Sequence, residues 1–226
     1  MVHVTVLRVF ADSGGSFGNH LGLVLDGAQV AGAEDRLAIA RKLGFSATVF
    51  VDDITTGMLA IFTPGGELPF AGHPVVGTAW AIARETGQVP ALLRPPAGVT
   101  PAWSEDDLTW VTAPLAGTPP WWHERMDSAA AVDALDGPVH PIQDMTQLWA
   151  WEDEAAGAVR ARVFAGRLGI AQDEACGSAS MRLCAALGRP LTLRHGNGSI
   201  ILARPGTVPG TADVGGRVVA DPDQQV

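Results

Sequence analysis

The chain has 226 residues, 47% hydrophobic and 17% charged, which suffices for one large domain or two small ones and excludes a disordered chain. Lys+Arg 15 against Asp+Glu 24 leave a net charge of −9 with no Lys/Arg-rich run, which argues against nucleic acid or an anionic membrane surface as a partner. Any anion site must then be local, made from helix ends and a few side chains.

Residues 2–10 alternate as a strand does, without the charged start and apolar run of a signal peptide. No apolar stretch reaches membrane-spanning length. Cys176 and Cys184 are too few for a disulfide framework, and they lie roughly 12 Å apart along a predicted helix, so a cytoplasmic protein with free thiols is expected. Gly14 to Asn19 reads as a loop. Leu21–Leu25 and Gln29–Ala31 around Asp26-Gly27 predict a hairpin. Glu34–Leu43 predicts a helix with acids in its first turn, Arg41-Lys42 in its last and Gly44 as its stop. Thr48–Val51 and Met58–Phe62 read as short strands, Thr63–Gly66 as a loop, and Val75–Glu85 as a second helix that His73, placed before Pro74, enters from non-helical geometry.

From Val89 to Asp106 the chain is proline-rich and aperiodic, the expected crossing between two halves, residues 1–95 and 96–226. Leu108–Thr112, Val139–Trp151, Val159–Phe164, Leu191–Arg194 and Ile200–Ala203 read as strands, Pro119–Trp122 as a loop, Ser128–Leu135 as a short helix, Gly196–Gly198 as a turn, and the tail from Asp221 as frayed. Six of the seven tryptophans lie between residues 103 and 151 and are expected to pack the second half rather than to form a stacking platform.

The chemistry concentrates in Asp173-Glu174-Ala175-Cys176-Gly177-Ser178-Ala179-Ser180, which leads into a helix running to Leu187. A glycine at a helix entrance leaves backbone N–H groups open, and the helix dipole adds positive charge, so this is an anion seat with a nucleophile or base on its rim. Phe70-Ala71-Gly72-His73-Pro74 echoes it, Gly72 aligning with Gly177. Two similar halves whose helix entrances face each other would hold a carboxylate between them.

Phe17-Gly18-Asn19, Phe45-Ser46-x-Thr48-x-Phe50-Val51, Phe62-Thr63-Pro64 with Glu67-x-Pro69-Phe70-x-Gly72-His73, and Val163-Phe164-Ala165 with Asp173-x-x-x-Gly177-Ser178-Ala179 occur in this order. The series resembles the PhzF-like isomerase family of phenazine biosynthesis, relatives of diaminopimelate epimerase and proline racemase, over about residues 2–203. The resemblance implies an α+β fold of two similar domains, each a bent, barrel-like sheet around a central helix, with the second half trimmed. It further implies a site in the cleft between the domains, no metal or organic cofactor, and isomerisation or epimerisation of a small carboxylate by proton abstraction and return. A homodimer is an assembly it allows.

Carried over, the resemblance makes His73 a mover of protons, Asp173 and Ser178 the acid and hydroxyl of the second motif, and Asn19, Gly72 and Gly177 substrate-anchoring positions. His20, where the family has proline, is a candidate for entering the cleft. The family's catalytic glutamate would stand at position 47, where this chain has Ala47, while Cys176 matches the acid/base cysteine of the epimerase and racemase branch, whose partner cysteine would stand at Ala71.

Each residue also has a plainer reading. Cys176 could simply pack a helix start, although that position lowers a thiol's pKa and favours thiolate. His73, Asp173 and Ser178 are ordinary residues for a helix entrance, and Cys184 reads as core. The other histidines, His3, His20, His123, His140 and His195, show no metal-ligand spacing. The expected function is therefore a cofactor-independent isomerase using Cys176, His73 and Asp173. The alternatives are a small-anion binder that lost its base at Ala47 and, more weakly, a cysteine-nucleophile hydrolase that would need a histidine beside Cys176.

Overall fold

The alternating N-terminal residues form β1 (His3–Ala11), the innermost strand of the first half, in a computed structural model that describes residues 1–139, 144–168 and 170–226. There follow β2 (Asn19–Val24), α1 (Ala33–Leu43), β3 (Ala47–Asp53), β4 (Met58–Thr63), β5 (Gly66–Leu68), α2 (Gly72–Thr86), β6 (Leu92–Leu93), β7 (Thr100–Glu105) and β8 (Leu108–Pro114). The chain continues through β9 (Trp122–Arg125), α3 (Ala129–Asp133), β10 (Thr146–Asp153), β11 (Ala158–Ala165), β12 (Ile170–Asp173), α4 (Gly177–Leu187), β13 (Leu191–His195), β14 (Ser199–Pro205) and β15 (Thr211–Gln225).

One unit occurs twice. β2 and β3 run parallel with α1 as their crossover, and β4 and β5 then add antiparallel strands before α2. Likewise β9 and β10 run parallel across α3, and β11 and β12 add antiparallel strands before α4. Parallel neighbours need such a crossover, because a tight turn can only reverse the chain. α2 buries its first two turns and α4 all of its own first two but Arg182, and the apolar side chains of the strands close around them.

The sheet runs β5-β4-β3-β2-β1-β15-β14-β13-β11-β10-β9. β15 joins the halves. Residues 211–216 pair with β8, and residues from Arg217 onward pair with β1, where His3 faces Gln225. The tail from Asp221 is therefore strand through Gln225 rather than frayed. Its polar side chains sit on exposed positions, and the backbone of β1 supplies the partners that composition does not reveal.

Other expectations change for similar reasons. No hairpin forms at Asp26-Gly27, because β2 already pairs with β1 and β3 on its two edges. Residues 27–29 make one 3-10 turn, and a Cβ on Gly27 would stand 2.8 Å from the backbone of Phe50 and Val51. The proline-rich crossing carries β6 and β7, the loop at Trp122 opens β9, and β12 escapes notice at four residues. α2 starts at Gly72, so His73 lies inside the first turn. Pro74 is tolerated there because first-turn N–H groups have no helical acceptor. The strand expected over 139–151 begins at Thr146, and residues 140–143 lie outside the described residues. Among the described residues, no helix is long and apolar enough to cross a membrane.

Candidate active site

β5 delivers the chain to α2 and β12 delivers it to α4, and the two helix entrances meet. A Cβ on Gly72 would stand 2.9 Å from the Cα of Gly177, and one on Gly177 would stand 3.0 Å from the Cα of Gly72, so only paired glycines allow this approach. Neither N-cap residue, Ala71 or Cys176, caps its helix with a side chain. Free N–H groups and the positive ends of two dipoles therefore converge on one place, as an anion requires.

A small cavity of about 20 Å³, room for one water, lies at this junction. Its polar wall includes Ser46, Thr63, His73, Asp173, Cys176 and Ser178, and its apolar wall includes Phe70, Trp121, Leu168 and Ile170. Asn19 Nδ2 donates to Asp173 Oδ1 at 2.5 Å and to the Ala175 carbonyl at 3.0 Å. Ser46 Oγ donates to Asn19 Oδ1 at 2.5 Å and lies 3.3 Å from His73 Nε2. Trp121 donates its indole N–H to Ser178 Oγ at 2.8 Å, and Ser178 Oγ lies 3.7 Å from Cys176 Sγ.

Burial governs the ionisation of all three candidate catalytic groups. It raises the Asp173 carboxyl to about 6, although hydrogen bonds from Asn19 and Cys176 pull the other way. It lowers His73 to about 3, so the ring is neutral at physiological pH. It also pushes the Cys176 thiol well above its ordinary value, helped by the negative charge of Asp173. The thiolate expected from the helix end does not form at rest. At 4% exposure, the loss of water and a neighbouring carboxylate outweigh a half-charge of helix dipole.

Asn19, Gly72, His73, Asp173, Cys176, Gly177 and Ser178 therefore come together, with Asn19 behind Asp173. His20 does not line the cavity. It is half-exposed, stacks on Phe45 at 5.4 Å and lies 3.6 Å from Asp221, in a depression that shares Ser46 and Ile170 with the cavity. Glu174 turns away from its neighbour Asp173, as adjacent residues at a strand end do, and its carboxylate accepts from Ser199 Oγ at 2.7 Å and from Asn197. Cys184 is buried core.

Ala47 is fully buried on the cavity wall, and the cavity-lining carboxylate among the described residues is Asp173. Asp12 binds its own turn at Gly14 and Ser16, Asp52 pairs with Arg36, and Asp53 caps Thr55. Sequence reasoning missed Ser46, although it precedes Ala47 in the motif running from Phe45 to Val51, and Trp121, for which Pro119-Pro120 offered no functional signal. Trp103 and Trp110 stack on each other, as packing tryptophans should. No three His, Cys, Asp or Glu side chains group as metal ligands among the described residues, which exclude His140.

Comparison with known proteins follows the same pattern. Residues 7–140 match the family model described as phenazine biosynthesis-like protein. The chain is 29% identical over 216 residues to trans-2,3-dihydro-3-hydroxyanthranilate isomerase of Pseudomonas aeruginosa, covering 79% of this chain and 77% of that protein. The fold superposes on a Bacillus anthracis phenazine biosynthesis protein of the PhzF family with a TM-score of 0.79 at 20% identity, covering 100% and 98% of the two chains. It also superposes on a hydroxyproline epimerase of Agrobacterium vitis with a TM-score of 0.63 at 13% identity, covering 99% and 92%. With its motifs, its repeated unit and its paired helix entrances accounted for, the chain belongs to the phenazine biosynthesis-like family, as an enzyme of the isomerase class its relatives are named for.

Proposed function

We propose that this protein is a cofactor-independent isomerase of a small carboxylate, moving a proton between two positions of its substrate. The observation that carries the reading is one small cavity in which Asp173, Cys176, His73 and Ser178 surround two abutting helix entrances. At rest the cavity has room for only one water, so it must open to admit a substrate, whose carboxylate then sits against the free N–H groups. Asp173, ionised above about pH 6, takes a proton from carbon, and the C–H electron pair passes into the adjacent π system, where the same N–H groups stabilise the charge. A proton returns at another carbon or the opposite face, from Asp173 or from the Cys176 thiol, which then regains one from Asp173. Nothing is oxidised or reduced. The name of the Pseudomonas aeruginosa relative supports a ring-bearing amino carboxylate as the class.

The test is incubation in D₂O with trans-2,3-dihydro-3-hydroxyanthranilate and a panel of cyclic and acyclic amino carboxylates, with deuterium followed by NMR. Exchange into at least one of them is expected, falling by about 10²-fold or more in Asp173→Asn and in Cys176→Ser. Undiminished exchange in both variants removes those roles.

Ala47 on the cavity wall favours a second reading, a binder of small carboxylates without turnover. Thermal-shift screening separates the two, because a bound carboxylate that is also converted rules the second out.

A further inference from the structure

The hydrogen bonds around Ser46 determine where the His73 proton resides. The Ala175 carbonyl can only accept, so the Asn19 atom 3.0 Å from it is the amide nitrogen, and both Nδ2 hydrogens are spent on that carbonyl and on Asp173 Oδ1. Asn19 Oδ1 then faces Ser46 Oγ at 2.5 Å, a separation that two oxygens keep only with a hydrogen between them, and the hydroxyl supplies it. The His20 carbonyl, 3.4 Å from the same hydroxyl, is the weaker claimant on that hydrogen. With its one hydrogen committed, Ser46 Oγ can only accept from His73 Nε2, 3.3 Å away. A neutral imidazole carries one N–H, so Nδ1 is bare.

We propose that Ser46 is a positioning residue of this site, holding His73 in the tautomer protonated at Nε2 and leaving Nδ1 as the ring's hydrogen-bond acceptor. The purpose of that nitrogen rests on the isomerase reading above. Kept neutral by burial, His73 has no proton to give through Nδ1, so the donors to substrate are the Cys176 thiol and the protonated form of Asp173. The chain of bonds His73–Ser46–Asn19–Asp173 also ties the first half's α2, β2 and the turn before β3 to β12 of the second half.

The test is ¹⁵N NMR of the full chain at pH 7, with the His73 signals assigned by their loss in His73→Gln. The expected result is one neutral tautomer with a protonated Nε2 and a bare Nδ1. It should persist in Ser46→Thr, which keeps the hydroxyl, and give way to a mixture in Ser46→Ala. A wild-type ring protonated at Nδ1 overturns the proposal, as does an unchanged single tautomer in Ser46→Ala. Beyond the His73→Gln reference spectrum, the wild-type readout requires no variant to fold. Deuterium exchange on the same samples reports the isomerase reading separately, so a locked tautomer without exchange into any carboxylate sinks that reading and leaves the role of Ser46 standing.

Discussion

Buried beside Cys176 and hydrogen-bonded to Asn19, Asp173 loses more by desolvation than it regains from the amide, and its carboxyl rises from 3.8 to about 6. A raised carboxyl pKa means that the native state holds this proton more tightly than the unfolded chain does. Its stabilising contribution is full below about pH 4 and is lost as pH passes through about 6, where the ionised group becomes a cost of a few kcal/mol. Asp173→Asn should therefore raise stability by on the order of 2 kcal/mol at pH 8, with the gain shrinking below pH 6, while deuterium exchange falls by about 10²-fold or more. Urea midpoints at pH 8 and pH 5 measure this, and a variant that is less stable at both would show that the carboxylate is compensated after all. The thiol of Cys176 follows the same logic in its own direction: kept protonated, it is a donor at rest.

At the scale of elements, the site depends on two helices meeting end to end. Helix propensity alone predicts that Gly72→Ala stabilises α2 by up to about 1 kcal/mol. The contact predicts the opposite, because the new methyl would stand 2.9 Å from the Cα of Gly177 and force the helix entrances apart. A loss of about 1–3 kcal/mol is expected, together with loss of carboxylate binding. Thermal unfolding and ligand-induced thermal shift measure the two effects, and a stabilised variant would mean that the entrances do not meet as described. The paired βαβββα units explain why this meeting point exists, since each half brings its central helix in from the same short antiparallel strand, β5 or β12.

Across the whole molecule, burial makes the fold acid-sensitive. His73 and His195 are both driven to about 3 by burial, from 6.5 when unfolded. Unfolding below pH 6.5 therefore takes up a proton at each, and stability falls as pH drops through the window from 6.5 to 3. Asp173 acts oppositely between about 6 and 3.8, so the three groups together leave about one proton taken up and a slope of ~1.4 kcal/mol per pH unit between pH 6 and 4. Chemical denaturation at several pH values checks this, and a flat profile would contradict the buried neutral rings. Local chemistry was legible in the amino-acid order: the period of α1 with its Gly44 stop, the strand alternations, the echo of Gly72 in Gly177, and the residues of the seat itself, because helix and turn preferences act within a few neighbours. Pairing between distant segments was not. Asp221–Gln225 is strand only because β1 offers it hydrogen bonds from the other end of the chain, and Asp26-Gly27 fails to form a hairpin because both edges of β2 are taken. The placement of Ser46 and Trp121 on the cavity, the departure of His20 from it and the protonated state of Cys176 were likewise decided by the tertiary structure, since burial and contact across the two halves set them and no local window contains either.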